Sequence, residues 1–366
     1  MVTFIRMPAI SARLREPLAA ALRGEKIDWP QPLSDDEIDA LVEHGVAPLV
    51  YAAAGVPQLR DVAMSAAVAE PLRLRELRAV LDGLAARGVR PLILKGSALA
   101  YSMYAAGELR PRMDCDLLIE GAEMEIVAEV FAALGYEAAI NSGDELGIRQ
   151  RSFSRTDEFD VSHNFDVHVA IANTAVFASV LRYDELLSRA VAVPRIGEHA
   201  LRLSNADALL HACIHRVAHH HNSDRLIWLC DIHLLRRSLT RDELRDFWQL
   251  AADRRVVAVC RRAFELEASW FGSAGDAAEQ WLTREQLEAD EPSRAFLDRG
   301  RTYGELLVTN LAALSWSGRL KRLRQLAFPP RQFMYAQFGG GSPAALPLLY
   351  AYRGLRGVAR LFRKLA

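Results

Sequence analysis

Two acidic residues, Asp114 and Asp116, stand two positions apart in the stretch 92–120, which reads LILKGSALAYSMYAAGELRPRMDCDLLIE. On a strand, side chains two apart share a face. Both carboxylates are therefore expected at one spot, with Cys115 and Leu117 turned the other way. Paired carboxylates repel each other unless something cationic sits between them, commonly a hard divalent ion or an arginine. Mg²⁺ takes oxygen ligands, uses one or two carboxylates, and fills its shell with water and substrate phosphate. Upstream, the apolar run Leu92-Ile93-Leu94 leads directly into Lys95, Gly96 and Ser97. A glycine and a small hydroxyl at a strand end let phosphate approach the backbone and the N-terminus of the next helix. Ser97 could equally cap that helix. Lys95, Arg110 and Arg112 are further candidates for triphosphate oxygens, the guanidinium groups through paired hydrogen bonds. A phosphate cradle beside a metal-holding carboxylate pair is what nucleotide chemistry requires.

The elements that must position these groups read as strand, helix, strand, helix, strand. Strands are expected near 91–94 and 115–119, and a helix over 122–134 that stops at Gly135. A further strand is expected over 136–140, and a turn or loop rich in Asn, Gly and Asp over 141–147. Two more strands follow, near 151–155 and 165–172. Periodicity alone also allows another small α/β domain.

The Gly96-Ser97 pair, a helix, and then Asp114-Cys115-Asp116 on a strand resemble the Gly-Ser…Asp-x-Asp signature of the polymerase-β-like nucleotidyltransferase superfamily. The flanks LKGSALA and RPRMDCDLLI look like a bacterial branch of stand-alone nucleotidyltransferases. The resemblance runs over about residues 77–235, and the gap from Gly-Ser to the first Asp is longer than in the minimal polymerase-type motif. The family pattern asks for a third carboxylate on a later strand, and Asp166 in Phe165-Asp166-Val167-His168-Val169 answers it. Asp160 is a competitor, but the apolar neighbours of Asp166 favour a strand position. The resemblance thus implies Asp114, Asp116 and Asp166 as catalytic metal ligands for Mg²⁺ or Mn²⁺. It implies an NTP, ATP first, as co-substrate, with Lys95, Gly96, Ser97, Arg110, Arg112 and His168 around it. His168 shares the face of Asp166 and is expected to orient metal-bound water, to contact substrate, or to be satisfied by a neighbour.

Composition sets the frame. The chain has 366 residues, 51% hydrophobic and 25% charged, with a net charge of −1. Such a chain buries a large core, typically in more than one domain, and has no global attraction to nucleic acid. Four cysteines, Cys115, Cys213, Cys230 and Cys260, lack CxxC spacing, which points to reduced thiols and a cytoplasmic setting. No apolar leader region and no transmembrane-length run is evident. Ser34 to Glu37 has capping-box spacing ahead of a helix that runs to about Glu43. Residues 59–87 read as helical, interrupted or kinked at Pro71.

From Ser204 the pattern is helical, over 205–221, 225–237, 241–253 and 256–271. His211, His215 and His219 recur every four residues. Zinc ligands use such spacing, but no HExxH and no suitably spaced cysteine accompany them. The better expectation is a helix abutting the catalytic cleft, where Asn222, Arg225 or Asp231 meets nucleotide or acceptor. The tryptophans are expected in the core or an interface. After Glu305 there is no acidic residue, while ten Lys and Arg residues follow. Arg353, Arg356, Arg360 and Arg363 keep helical spacing. The plainer expectation is a terminal helix docked on an acidic face of its own chain. The alternatives are anionic lipid, RNA or an acidic peptide.

The sequence reading is therefore an α/β (α+β) nucleotidyltransferase core with a small mixed sheet. It comprises an N-terminal helical cap (1–88), a catalytic core (89–203) and a C-terminal helical domain with a basic tail (204–366). The expected reaction moves an NMP from an NTP onto an acceptor hydroxyl of a small molecule, peptide or protein, releasing pyrophosphate. The rival readings are a non-catalytic nucleotide- or partner-binding protein of the same fold, and an RNA-modifying enzyme that uses the basic tail.

Overall fold

Capping residues and apolar stripes set the N-terminal helices. The computed structural model describes residues 7–29, 32–139, 150–272, 277–339 and 343–362. Helix α1 (Arg15–Leu22) buries Leu18 and Leu22. Helix α2 (Asp35–Glu43) starts at Ser34, which accepts the Glu37 N–H while Glu37 takes the Ser34 N–H, the expected capping box. Helix α3 (Ala47–Ala54) ends on Gly55 in the left-handed region. Helix α4 (Arg60–Ala85) then runs for 26 residues through Pro71 without a break. Pro71 is exposed, and buried residues on both sides of it, Ala63 and Glu70 before and Glu76 and Leu77 after, anchor the two halves.

The sheet follows. Strand β1 (Leu92–Ile93) leads into helix α5 (Lys95–Ser102), and strand β2 (Cys115–Leu118) into helix α6 (Met124–Ala133). Strands β3 (Glu137–Ala138), β4 (Gln150–Thr156) and β5 (Ser162–His168) come next. Short helices α7 (Ala175–Ala178) and α8 (Tyr183–Ser188) precede strands β6 (Val191–Ala192) and β7 (Leu201–Arg202). The seven strands form one open mixed sheet in the order β3-β4-β5-β2-β1-β7-β6. Strand β5 ends at His168, earlier than the expected 165–172 run, and Ala170 to Ala172 continue as buried non-strand chain. The two-residue strands β6 and β7 carry too short a pattern for periodicity to show. The expected loop at 141–147 and the end of the 136–140 strand lie outside the described residues.

Helices fill the remainder: α9 (Asn205–Ala218), α10 (Leu226–Arg237), α11 (Arg241–Asp253), α12 (Val257–Phe271), α13 (Arg284–Glu288), α14 (Tyr303–Ala312), α15 (Trp316–Ala327), α16 (Arg331–Phe338) and α17 (Leu346–Leu361). The architecture is mixed α+β, with helices at both termini around the sheet-bearing nucleotidyltransferase region.

Two apolar cores hold the sheet. On one side Leu77, Leu81 and Leu84 of α4 meet Phe131 of α6 and the sheet residues Cys115, Leu117, Phe153, Phe165 and Val167. Phe131 stacks on Phe153 with ring centroids 4.3 Å apart and meets Phe165 edge-on at 5.3 Å. Cys115 and Leu117 are thus committed to this core, which leaves Asp116 for the opposite face. The second core is larger. It joins Leu18, Leu41 and Val50 of the N-terminal helices to Leu92 and Leu118 of the sheet and to Leu210, Ile214, Leu229 and Trp248 of the C-terminal helices.

Candidate active site

Strand pairing brings two of the three expected acids together. Strands β2 and β5 run parallel with Asp116 directly opposite Asp166 and Leu118 opposite His168. Alternation places the Asp116, Asp166 and His168 side chains on one face. One ligand atom from each lies within 4.8 Å of the others, a grouping that could hold a metal ion. Asp116 and His168 are almost fully buried, and His168 Nε2 lies 2.8 Å from Asp116 Oδ1. The neighbouring strand supports Asp166. Ser152, its partner in the β4–β5 register, donates to Asp166 Oδ1 at 2.5 Å, and Gln150 donates to Oδ2 at 3.3 Å.

Lys95 completes the cluster. Its Nζ donates to Asp116 Oδ1 at 2.6 Å. The residue sits between β1 and the body of α5 with a φ of 50°, a left-handed conformation that costs a non-glycine residue about 1–2 kcal/mol. Burial works against the Asp116 carboxylate, but the Lys95 ammonium and the His168 contact outweigh it and hold its pKa well below the usual carboxylate range. Asp114 precedes β2 and faces the same cavity, outside the group of three. Desolvation, and then the Asp116 charge, push its carboxyl up to about 6, although part of it remains open to the solvent of the cavity.

The other expected ligands take different positions. Gly96 lies at the start of α5 and lines the cavity. A Cβ there would sit 3.3 Å from the Arg110 guanidinium. Ser97 is buried beneath the turn, its hydroxyl 3.5 Å from the Asp114 carbonyl, and it makes no side-chain cap. Arg110 is committed to Asp231, with Nε at 2.8 and 3.1 Å from its two oxygens and Nη2 at 2.6 Å. Tyr104 donates to the same carboxylate at 2.8 Å. Arg112 pairs with Glu70, at 2.7 and 3.0 Å. Both arginines border the cavity, but each has its hydrogen bonds directed to a buried carboxylate. Asn222 is likewise occupied, accepting from Arg216 and donating to the Leu297 carbonyl.

The cavity has a volume of about 820 Å³, within the range of small-molecule sites. Its walls come from three places: the acidic strands, the N-terminal helices (Val42, Pro48, Val62, Ala66) and helices α9 and α10. The histidine-bearing helix is a wall of the cavity. His211, His215, His219 and His220 all line it, with the Trp228 ring tilted against His220 at 4.2 Å. Desolvation, followed by the Lys95 charge, lowers the histidine pKa values: to about 3 for His211 and His219 and about 4 for His220. These rings are neutral at pH 7. The Nε2 atoms of His211 and His219 are buried without a hydrogen-bond partner.

A family model described as an uncharacterised nucleotidyltransferase matches residues 34–272. The chain belongs to that family. No curated protein matches it. For this nucleotidyltransferase family member, the matched span covers the acidic strands, Lys95, and the α9–α10 wall. Two cavity residues stand out: Arg225, which the sequence placed near nucleotide or acceptor, and Arg73, which local sequence gave little reason to select. Arg73 on α4 and Arg225 before α10 both line the cavity, and neither has a carboxylate partner among the described residues. Burial, then the neighbouring Arg112 or Arg110 charge, lowers both pKa values. Arg225 lies over the Trp228 ring at 5.4 Å. Ser152 and Gln150, also missed, lie on the β4 face opposite the one that buries Phe153, and a single apolar residue in that strand gives little pattern to read.

Proposed function

We propose that the protein is a divalent-metal-dependent nucleotidyltransferase acting on an NTP and an acceptor hydroxyl within the α9–α10 cavity. The observation that carries this reading is the convergence of Asp116, Asp166 and His168 within 4.8 Å beside Lys95. Two carboxylates and an imidazole fit a small divalent cation, and the mixed oxygen and nitrogen set suits Mn²⁺ at least as well as Mg²⁺. Asp116, Asp166 and His168 would hold it, with Asp114 adjacent. Bound there, such an ion supplies charge withdrawal from a phosphoryl oxygen and a lower pKa for a coordinated hydroxyl.

The chain's own residues account for the remaining needs. Arg73, Arg225 and Lys95 offer cations to the phosphates. This places the phosphate contacts on Arg73 and Arg225 and leaves Arg110 and Arg112 as braces beneath the Gly96 turn. The neutral histidine wall offers bare ring nitrogens to O–H or N–H donors of base or acceptor. The acceptor oxygen attacks the α-phosphorus. The bond from that phosphorus to the bridging oxygen breaks, pyrophosphate leaves with the electron pair, and the hydroxyl proton passes to solvent or a nearby base. The resemblance to polymerase-β-like enzymes agrees with this chemistry.

The test is calorimetric binding of Mn²⁺ and a non-hydrolysable NTP to the full chain, with pyrophosphate release measured over an acceptor panel. Asp116→Asn with Asp166→Asn is expected to abolish metal binding and turnover. Arg225→Gln is expected to weaken the NTP while leaving metal binding intact. Metal binding unchanged in the double carboxylate variant would remove this assignment.

A further inference from the structure

The charge of the chain is divided unevenly. Residues 306–366 carry ten Lys and Arg residues and no acid, so the rest of the chain has a net charge of −11 against an overall −1. The C-terminal helices are also unusual in what they leave uncovered. On α15, Trp316, Leu320 and Leu323 recur at i, i+4 and i+7, which is one face of a helix. They are 74%, 57% and 49% exposed. On α17, Leu348, Tyr352 and Leu355 repeat the same spacing and are 74%, 51% and 73% exposed. Phe328, just past α15, and Phe362, just past α17, are exposed as well. Of the two positions expected for the tryptophans, core or interface, exposed Trp316 leaves only the interface. Phe328 also meets Tyr350 of α17 with ring centroids 5.8 Å apart, which ties the end of one helix to the other.

Soluble surfaces scatter single apolar residues, whereas a stripe of large ones along one helix face marks a binding face. Basic residues border each stripe. Arg324 lies beside the α15 stripe and Arg356 beside the α17 stripe. Both are exposed and have no carboxylate partner among the described residues. Among those residues, then, neither arginine is engaged by an acidic face of its own chain.

We infer that α15 and α17 form a surface that seats the protein on an anionic lipid membrane, with the apolar stripes entering the acyl boundary and the arginines meeting the headgroups. A helix with Trp, Phe and Leu on one face and Lys or Arg beside them lies in the plane of such an interface. No helix among the described residues is long and apolar enough to cross a membrane, so the contact is peripheral. Aliphatic stripes have no counterpart on a nucleic-acid backbone, which favours lipid over RNA. The −11 charge on the remainder of the chain is repelled by an anionic surface, so the field itself turns the basic tail towards it.

The experiment is flotation of the full chain with phosphatidylcholine vesicles, with and without 30% phosphatidylglycerol, at two salt concentrations. Binding is expected only with the anionic lipid and is expected to weaken at high salt. Arg324→Gln with Arg356→Gln should weaken it about 25-fold, at roughly fivefold per charge near the surface. Leu320→Glu with Leu355→Glu alters exposed positions and should abolish flotation while leaving the circular dichroism and melting temperature unchanged. No flotation with anionic vesicles overturns the inference. So does loss, in the Leu→Glu variant, of a dimer seen by light scattering, which would assign the face to a second copy. RNA retention that depends on the same leucines would also overturn it.

Discussion

Breaking the Arg110–Asp231 pair tests whether the cleft rests on a desolvated ion pair. Asp231→Leu removes the carboxylate that takes Arg110 Nε at 2.8 and 3.1 Å, Arg110 Nη2 at 2.6 Å and the Tyr104 hydroxyl at 2.8 Å. The guanidinium is left with about 6% of its side chain exposed and only the Pro111 carbonyl, at 2.9 Å, among its described hydrogen-bond partners. Stranding a buried charge costs about 3–5 kcal/mol, a third or more of the stability of an ordinary domain. The melting temperature should fall by roughly 4–7 °C. Arg110→Met alone should cost a similar amount, because it strands the carboxylate.

The double variant Arg110→Met/Asp231→Leu fills the same volume with apolar atoms and should recover most of the loss. Adding Tyr104→Phe, which removes the hydroxyl left without an acceptor, should recover a further 1–2 kcal/mol or so. Urea unfolding of the four corners of this cycle gives the coupling energy directly. An Asp231→Leu chain within about 1 kcal/mol of the parent, or a double variant as unstable as the two singles added together, would refute a buried, mutually dependent pair. The recovered double variant then separates folding from chemistry. Arg110 packs against Gly96, where a Cβ would lie 3.3 Å from the guanidinium. The rescued chain should therefore be stable yet hold Lys95 loosely, with reduced nucleotide affinity.

Acidification should unfold the protein early: His211, His219 and His220 are lowered to about 3, 3 and 4, so from pH 6.5 down to about 4 the unfolded chain binds protons that the fold refuses. Stability therefore rises with pH through that window, and at pH 5 His211 and His219 each withhold about 2 kcal/mol, the more exposed His220 less; a flat urea midpoint between pH 7 and 5 would contradict this. Gly107→Ala should destabilise by about 1–3 kcal/mol in thermal melts, because its Cβ would sit 3.0 Å from Glu70 Cδ, and Glu70 is held by Arg112 and Tyr101. Ser34→Ala should cost about 1 kcal/mol by removing the capping box of α2, measurable by denaturant unfolding.

Much of this arrangement could be read from local pattern, and the failures share one cause. The β2 and β5 acids were legible because apolar neighbours on both sides, Cys115 and Leu117 or Phe165 and Val167, fix which way a strand faces. The helices over 205–271 were legible for the same reason at a period of 3.6, with α11 bounded at Thr240 by its own capping box. Roles that depend on a distant partner were not. Arg110 reads as a turn arginine until Asp231, 121 residues later, is seen against it. Arg112 likewise meets Glu70 from 42 residues earlier. Arg73 is one arginine among several on a long helix, and only the fold shows that it lines the cavity without a carboxylate partner. Pro71 does not interrupt α4 because the cost of a helical proline, about 3 kcal/mol, is offset by packing of Ala63, Glu70, Glu76 and Leu77 on either side.

The distribution of charge leads to one more expectation. Asp116 is balanced by Lys95 and His168, while Arg73 and Arg225 face the cavity without carboxylate partners among the described residues. A divalent cation entering alone must compete with Lys95 for Asp116. A triphosphate entering alone must approach Asp114, Asp116 and Asp166. Together, a cation held by Asp116, Asp166 and His168 would release Lys95 for phosphate, and the phosphates would supply the negative charge that Arg73 and Arg225 lack. Each ligand removes the main penalty of the other, so nucleotide and metal should bind with positive coupling. Linked sites typically couple by 1–3 kcal/mol, or about 5–150-fold in affinity. Calorimetric titration of a non-hydrolysable NTP at rising Mn²⁺ should show the nucleotide affinity climbing over that range. Lys95→Ala should flatten the rise, because Asp116 is then open to the metal from the start. A nucleotide affinity indifferent to Mn²⁺ in the parent chain would show that the acidic cluster and the arginine-lined cavity do not share a ligand.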